Sequence, residues 1–290
     1  MNARKLRRVV QGLRRALQRV AAAPRSLYTW MYIRLSLNRA YHRLGLSGRM
    51  QVRLIPRRLP VTRRLMRQPY WVPVRSIRWG GRPRGGEARL GDGCGCGLVF
   101  KGNWDTEDKH DIDDYLSRYI YSKTVFQLFR DALPYQQTAQ FREISSFVRR
   151  GLVHEWQARG CRTEADIERY FIGLRHTFEA IRLSGYKTQE QLGKSRWFDE
   201  IKVFVDRYGE LHKQQGAGHH RLAMARILEL DAIPVLVVGV HRDWALRVQS
   251  EIGEDVLTSI DRKLRQLSKE SLDYAPRLGP PVEEPMQSEG

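Results

Sequence analysis

Acidic residues are missing from the first third of this chain. The first is Glu87, and residues 1–86 hold 22 Lys and Arg with no Asp or Glu. The remainder holds 29 basic against 32 acidic residues, so the net charge of +19 belongs to the N-terminal third and the body is near neutral. Cysteine is also scarce. Cys94, Cys96 and Cys161 are too few, and odd in number, for a disulfide framework, and a reducing, cytoplasmic setting is expected. Asp92-Gly93-Cys94-Gly95-Cys96-Gly97 offers two thiols without a second pair nearby, which reads as a glycine loop rather than a zinc site. No run of 18 apolar residues occurs, so no spanning helix is expected. Val20-Ala21-Ala22-Ala23 is too short for the apolar region of a signal peptide, and Pro24 follows it. An Arg-rich, acid-poor start also fits an organellar transit peptide. No internal repeat is visible.

What is present suits a folded protein: 41% apolar and 29% charged residues over 290 positions, enough for one to two domains. Residues 1–50 read as a basic amphipathic helical segment. Leu6, Val9, Val10, Leu13, Leu17 and Val20 share a helical face, and Leu27, Tyr28, Trp30, Met31, Ile33 and Leu35 follow among arginines. Such a segment suits an anionic membrane surface, at the inner face of the membrane. Packing on the body or a partner, and nucleic-acid binding, are the alternatives. Residues 51–106 form a Pro/Gly/Arg-rich connection with short strands, Tyr70–Val74 and Leu98–Phe100, and a loop from Gly80 to Gly97.

Residues 107–195 carry helical periodicity. Thr163-Glu164-Ala165-Asp166 resembles a capping box, and Gly185 supplies the stop. Residues 196–265 read as strand, turn, strand, glycine turn, helix, strand, with strands over Ile201–Val205 and Ile233–Val238 and the helix over about Arg221–Leu230. Residues 266–290 lose periodicity and are expected to form a disordered tail. The fold class is therefore α+β: a helical middle and a small mixed sheet with short helices.

The chemistry concentrates at Gly216-Ala217-Gly218-His219-His220-Arg221. Gly216 and Gly218 admit backbone angles that turn successive N–H groups into one concavity. The following helix adds its free N–H groups and the positive end of its dipole. Arg221 adds a planar charged fork, and His219 and His220 add donors and a proton relay. All of this suits a phosphate. The bland reading is a strand-to-helix connection that uses glycine for geometry alone. Outside the turn, Trp104 reads as a core anchor. Asp105 is read either as a helix cap or as a site residue. Glu200 reads as a strand start near the surface, with a site role as the alternative. His241-Arg242-Asp243-Trp244 reads either as an acid-binding stretch or as a solvated strand end.

Gly218-His219-His220-Arg221-Leu222-Ala223, running through Leu230 to Ile233-Pro234-Val235, resembles the signature of ParB/sulfiredoxin-like domains. The likeness covers roughly 197–245. The wider layout is similar to a bacterial and archaeal subgroup with a Gly-[Asp/Asn]-Trp-Asp element, here Gly102-Asn103-Trp104-Asp105. The resemblance implies nucleotide handling: ATP, ADP or CTP, a nucleoside triphosphate or diphosphate, with Mg2+ expected from phosphoryl chemistry. It implies that Gly218, His220 and Arg221 hold phosphates, and the chemistry of the turn adds Gly216 and His219 to the expected set. His220 and Arg221 would stabilise the transferring charge, with Asp199, Glu200 or Asp105 as the candidate carboxylate. Two positions depart from the family. No Cys lies near 216–221, which speaks against sulfinic-acid reduction. Ala217 stands where kinase-like members often carry Asp.

The reading is a nucleotide-dependent phosphotransferase or NTPase acting on a small-molecule or glycan-precursor acceptor at the cytoplasmic membrane face. The alternatives are a non-catalytic nucleotide-gated adaptor and a ParB-like DNA-binding protein, the last without a recognisable helix-turn-helix.

Overall fold

The computed structural model describes residues 65, 68–81, 99–106, 109–154, 157–193, 199–215 and 218–274. The basic segment 1–50, Cys94, Cys96, Gly216 and Ala217 lie outside them.

Strand β5 (Ile201–Val205) is the middle of the molecule, and all five of its residues are buried. Successive side chains of a strand point to opposite faces, so burial throughout requires cover on both. Ile201, Val203 and Val205 enter the main core with Leu222, Ala223, Met224 and Ala225. Those four belong to helix α5 (His219–Ile227). Phe204 points the other way, into a smaller cluster with Phe100 and Trp104.

On one side β5 pairs in parallel with β7 (Ala232–His241), the long Ile-Pro-Val strand. On the other side it forms a hairpin with β6 (Leu211–Gln214). The hairpin turn is tied by Asp206, whose carboxylate accepts from the amides of Tyr208 at 2.9 Å and Glu210 at 2.8 Å.

The residues before 107 complete this sheet. Strand β1 (Tyr70–Pro73) lies antiparallel on β7. Strand β2 (Ile77–Gly81) runs parallel to β6, and the short β3 (Val99–Phe100) runs parallel to the end of β7. With β4 (His110–Asp111) on β2, the seven described strands run β1-β7-β5-β6-β2-β4, and β3 shares the β1 edge of β7.

The helical middle holds α1 (Ile112–Arg118), α2 (Ile120–Phe129), α3 (Ala139–Arg149) and α4 (Glu164–Ser184). Helix α4 opens with the Thr163/Asp166 capping box and stops at Gly185, where φ is +70°. Helices α6 (Arg242–Ile252) and α7 (Val256–Tyr274) follow β7. Among the described residues, no helix is long and apolar enough to cross a membrane.

The structure departs from the sequence reading at several places. The loop expected from Gly80 onward begins inside β2, where the Tyr115 ring lies so close that a Cβ on Gly80 would fall 2.3 Å from it. Residues 266–274, expected as tail, continue α7. Their anchor is polar: Ser268 Oγ accepts from the Trp71 amide at 2.8 Å, and Tyr70 donates to Asp261 at 2.9 Å. The expected tail from 275 onward lies outside the described residues. His241 and Trp244, read either as an acid-binding stretch or as a solvated strand end, are buried at 2% and 5% exposure.

Gly239 of β7 lies against the smaller cluster. A Cβ there would stand 2.3 Å from the Phe100 ring and 2.9 Å from the Phe204 ring. Gly239→Ala is therefore expected to lower stability by about 1–3 kcal/mol, read as the shift in the urea midpoint.

Candidate functional site

The glycine turn closes the path from β6 to α5. Gly218 takes φ +90° and ψ 12°, the left-handed region, and its C=O accepts from the Leu222 amide at 3.0 Å. A Cβ at this position would lie 2.8 Å from the Cα of Ile201. Glycine is thus required twice, for its backbone angle and for its approach to β5. The helix starts at His219, two residues earlier than the periodicity suggested, because the left-handed residue sets its first turn directly on the strand.

Arg221 lies in the first turn of α5 and reaches back to the residues before β5. Its Nη2 donates to the Asp199 carbonyl oxygen, and 3.4 Å separates its guanidinium from the carboxylates of both Asp199 and Glu200. Glu200 is 1% exposed, not the surface strand start expected of it. Its second oxygen accepts from the Gln189 amide at 2.5 Å. Tyr186 lies close by, and burial raises its phenol well above the ordinary value despite Arg221.

His219 and His220 are enclosed by tyrosines of the helical middle. The His219 ring stacks on Tyr119 at 3.9 Å between centroids, and its Nε2 is 3.0 Å from the Tyr115 hydroxyl. His220 Nε2 lies 3.2 Å from both the Tyr170 hydroxyl and Gln140 Oε1. Burial, then the nearby charges of Arg159 and Arg221, push its pKa down to about 3. At neutral pH His220 is therefore uncharged, and it neither donates a second proton nor serves as an efficient base. Burial also pushes Tyr170 up to about 12.

Asp105 belongs elsewhere. It neither caps a helix nor faces the glycine turn. Asp111 caps α1 by accepting from the amides of Asp113 and Asp114. The Asp105 carboxylate is gripped by Arg207, with contacts of 2.8 Å and 2.6 Å from the guanidinium and 3.0 Å from the Arg207 amide. The same guanidinium donates to the Gly102 carbonyl and Asn103 Oδ1, both at 3.1 Å. His241 accepts from the Asp243 amide through Nδ1, so Nε2 carries the hydrogen that it donates to Gly102 at 2.9 Å. The Gly-Asn-Trp-Asp element, the hairpin arginine and the His-Arg-Asp-Trp stretch thus form one staple.

That staple sits beyond the C-terminal end of β5, whereas Arg221 and Glu200 sit at its start. A five-residue strand separates them, roughly 17 Å of chain. The structure brings Gly218, His219, His220, Arg221 and Glu200 together and keeps Asp105 apart.

Sequence reasoning missed Lys213, the penultimate residue of β6. It is 0% exposed, and its Nζ donates to the Gln214 carbonyl at the strand end. Burial, then Lys202 and Arg221, hold its amine well below the ordinary lysine value. The alternation of β6 was the available signal, since Lys213 shares a face with Leu211. Gln140, Tyr170 and Arg159 were also missed, because only tertiary packing brings them to His220. No family model, curated protein or solved structure matches this chain.

The Asp105–Arg207 pair yields a stability expectation. Burial raises the Asp105 carboxyl, but the Arg207 guanidinium and amide outweigh it, and the pKa lies below the usual value. A depressed carboxylate contributes stability above its unfolded pKa, and this is lost as pH falls through the folded value. Asp105→Ala is expected to cost about 3 kcal/mol at pH 7. The gap from wild type should narrow below about pH 4, measured by urea unfolding at several pH values.

Proposed function

We propose that this chain is a nucleotide-binding protein that holds phosphates on the Gly216–Arg221 turn, in the manner of ParB/sulfiredoxin-like domains. One observation carries the reading: Gly218, left-handed and pressed on Ile201, sets the head of α5 and Arg221 at one end of the sheet. Free N–H groups and the helix dipole favour an anion there, and Arg221 offers a fork that matches phosphate oxygens. Lys213 and Lys202 lie close enough for Arg221 and Lys202 to depress the Lys213 amine, so the surroundings are cationic. The expected ligand is a nucleoside diphosphate or triphosphate, with Mg2+ arriving on its phosphates.

Binding without chemistry fits the side chains better than phosphotransfer. His220 is too weak a base at pH 7. Both Glu200 oxygens already face partners, Gln189 and Arg221. The phosphotransferase reading, with a small-molecule or glycan-precursor acceptor, rests on Asp199. Its carboxylate, 49% exposed and 3.4 Å from Arg221, would orient the acceptor hydroxyl in that reading.

Calorimetry on the full chain with ATP, ADP, CTP and GTP, each with Mg2+, tests the binding. At least one nucleotide is expected to bind, and Arg221→Ala is expected to weaken it about tenfold or more. Arg221→Lys should restore only part, since the charge returns without the fork. Absence of binding by every nucleotide, or equal binding by a variant with unchanged thermal unfolding, would overturn the proposal.

A further inference from the structure

Helix α5 closes in a left-handed turn that carries an unexpected residue. The Leu230 amide donates to the Ala225 carbonyl at 3.0 Å, and the Glu229 amide donates to the Arg226 carbonyl at 3.2 Å. This pair of bonds is the Schellman closure of a helix, and its left-handed position is usually filled by glycine. Here it is filled by Glu229, with φ +50°. A side chain in that conformation crowds its own backbone, so glycine would close the helix at lower cost. Strain retained at a turn marks a side chain needed in that place.

Glu229 lines a cavity of about 300 Å³ between this turn, the residues after β1 and the end of α7. That volume is at the small end of ligand sites. Val74 and Leu230 give the cavity an apolar wall, and the Val74 amide donates to the Asp231 carbonyl at 3.0 Å. Arg75 and Arg226 line it as cations, Glu229 and Asp231 as anions. The opposite charges do not pair across it. Arg226 bonds Asp113 at 2.5 Å, and the Glu229 and Asp231 side chains make no ion pair or hydrogen bond among the described residues. Ser271, 7% exposed, donates its hydroxyl to the Leu267 carbonyl at 2.6 Å, which leaves its oxygen as an acceptor on the cavity wall.

We propose that this cavity binds a small zwitterion of the amino-acid class. Its ammonium group is taken by the Glu229 and Asp231 carboxylates and the Ser271 oxygen. Its carboxylate is taken by the guanidinium groups of Arg226 and Arg75, and its aliphatic body by Val74 and Leu230. Asp113 engages Arg226 through Nη2, so the rest of that fork is left to donate. A lone cation is repelled by the two arginines and a lone anion by the two acids, whereas a molecule with both charges meets both. The site lies at the opposite end of α5 from the glycine turn and does not depend on it.

The test is calorimetry of the full chain with each of the common L-amino acids, then with the amine and the acid that correspond to the tightest binder. At least one amino acid is expected to bind saturably, and removal of either charged group from it should weaken binding about tenfold or more. Glu229→Gln should weaken it by a similar factor. Glu229→Gly separates the ligand from the fold. It should unfold at higher urea than wild type, because glycine suits the left-handed turn, and still lose binding. Failure of every amino acid to bind up to about 10 mM overturns the inference. So does binding that is unchanged in the Glu229 variants, or an amine that binds as tightly as its amino acid. A Glu229→Gly protein less stable than wild type would show that the carboxylate serves the fold, and would overturn it too.

Discussion

The approach of Gly218 to Ile201 fixes the arrangement on which everything else depends. A single missing Cβ lets the chain turn left-handed against the start of β5 and enter α5 at once. Any larger residue would lift the helix off the strand. The apolar face Leu222–Ala225 would then lose its seat over Ile201 and Val203. The same contact decides the chemistry. It brings Arg221 back to Asp199 and Glu200.

Electrostatics divide the β5–β6 hairpin into two unlike ends. At the hairpin end the carboxylates are satisfied, although the buried Trp104 Nε1 has no hydrogen-bond partner. Asp105 is gripped by Arg207, while Asp206 accepts from two amides and lies 2.9 Å from His212 Nε2. In both carboxylates burial raises the pKa, and the bonds received lower it further than that. Satisfied groups of this kind rigidify a fold and leave little to offer a ligand. The glycine-turn end is different. There the Arg221 guanidinium stands 3.4 Å from the Asp199 and Glu200 carboxylates, one of them half exposed, while its Nη2 donates to the Asp199 carbonyl oxygen.

Much of this was readable from residues in order along the chain. The alternation of Ile201–Val205, the glycine turn and the Ile-Pro-Val run give strand, turn and helix directly, and the Thr163 capping box marks its helix. What escaped was long-range or polar. Asp105 and Arg207 are 102 residues apart, and nothing local pairs them. Strand β2 hides behind Gly80 and Gly81, whose purpose is visible only once Tyr115 packs on the first of them. Helix α7 runs past the expected end, and there Ser268, a polar residue, bonds the Trp71 amide of β1. Lys213 was passed over because a lysine on a core-facing strand position reads as a break in the pattern, when its burial is the point of interest.

The most direct measurement of the central claim is amide NMR of the full chain titrated with pyrophosphate. The account expects saturable shifts at the amides of Gly218, His219, His220 and Arg221 at the head of α5, with little change at Arg207 and Asp105. Shifts confined to the hairpin end, or spread over exposed arginines without saturation, would contradict it.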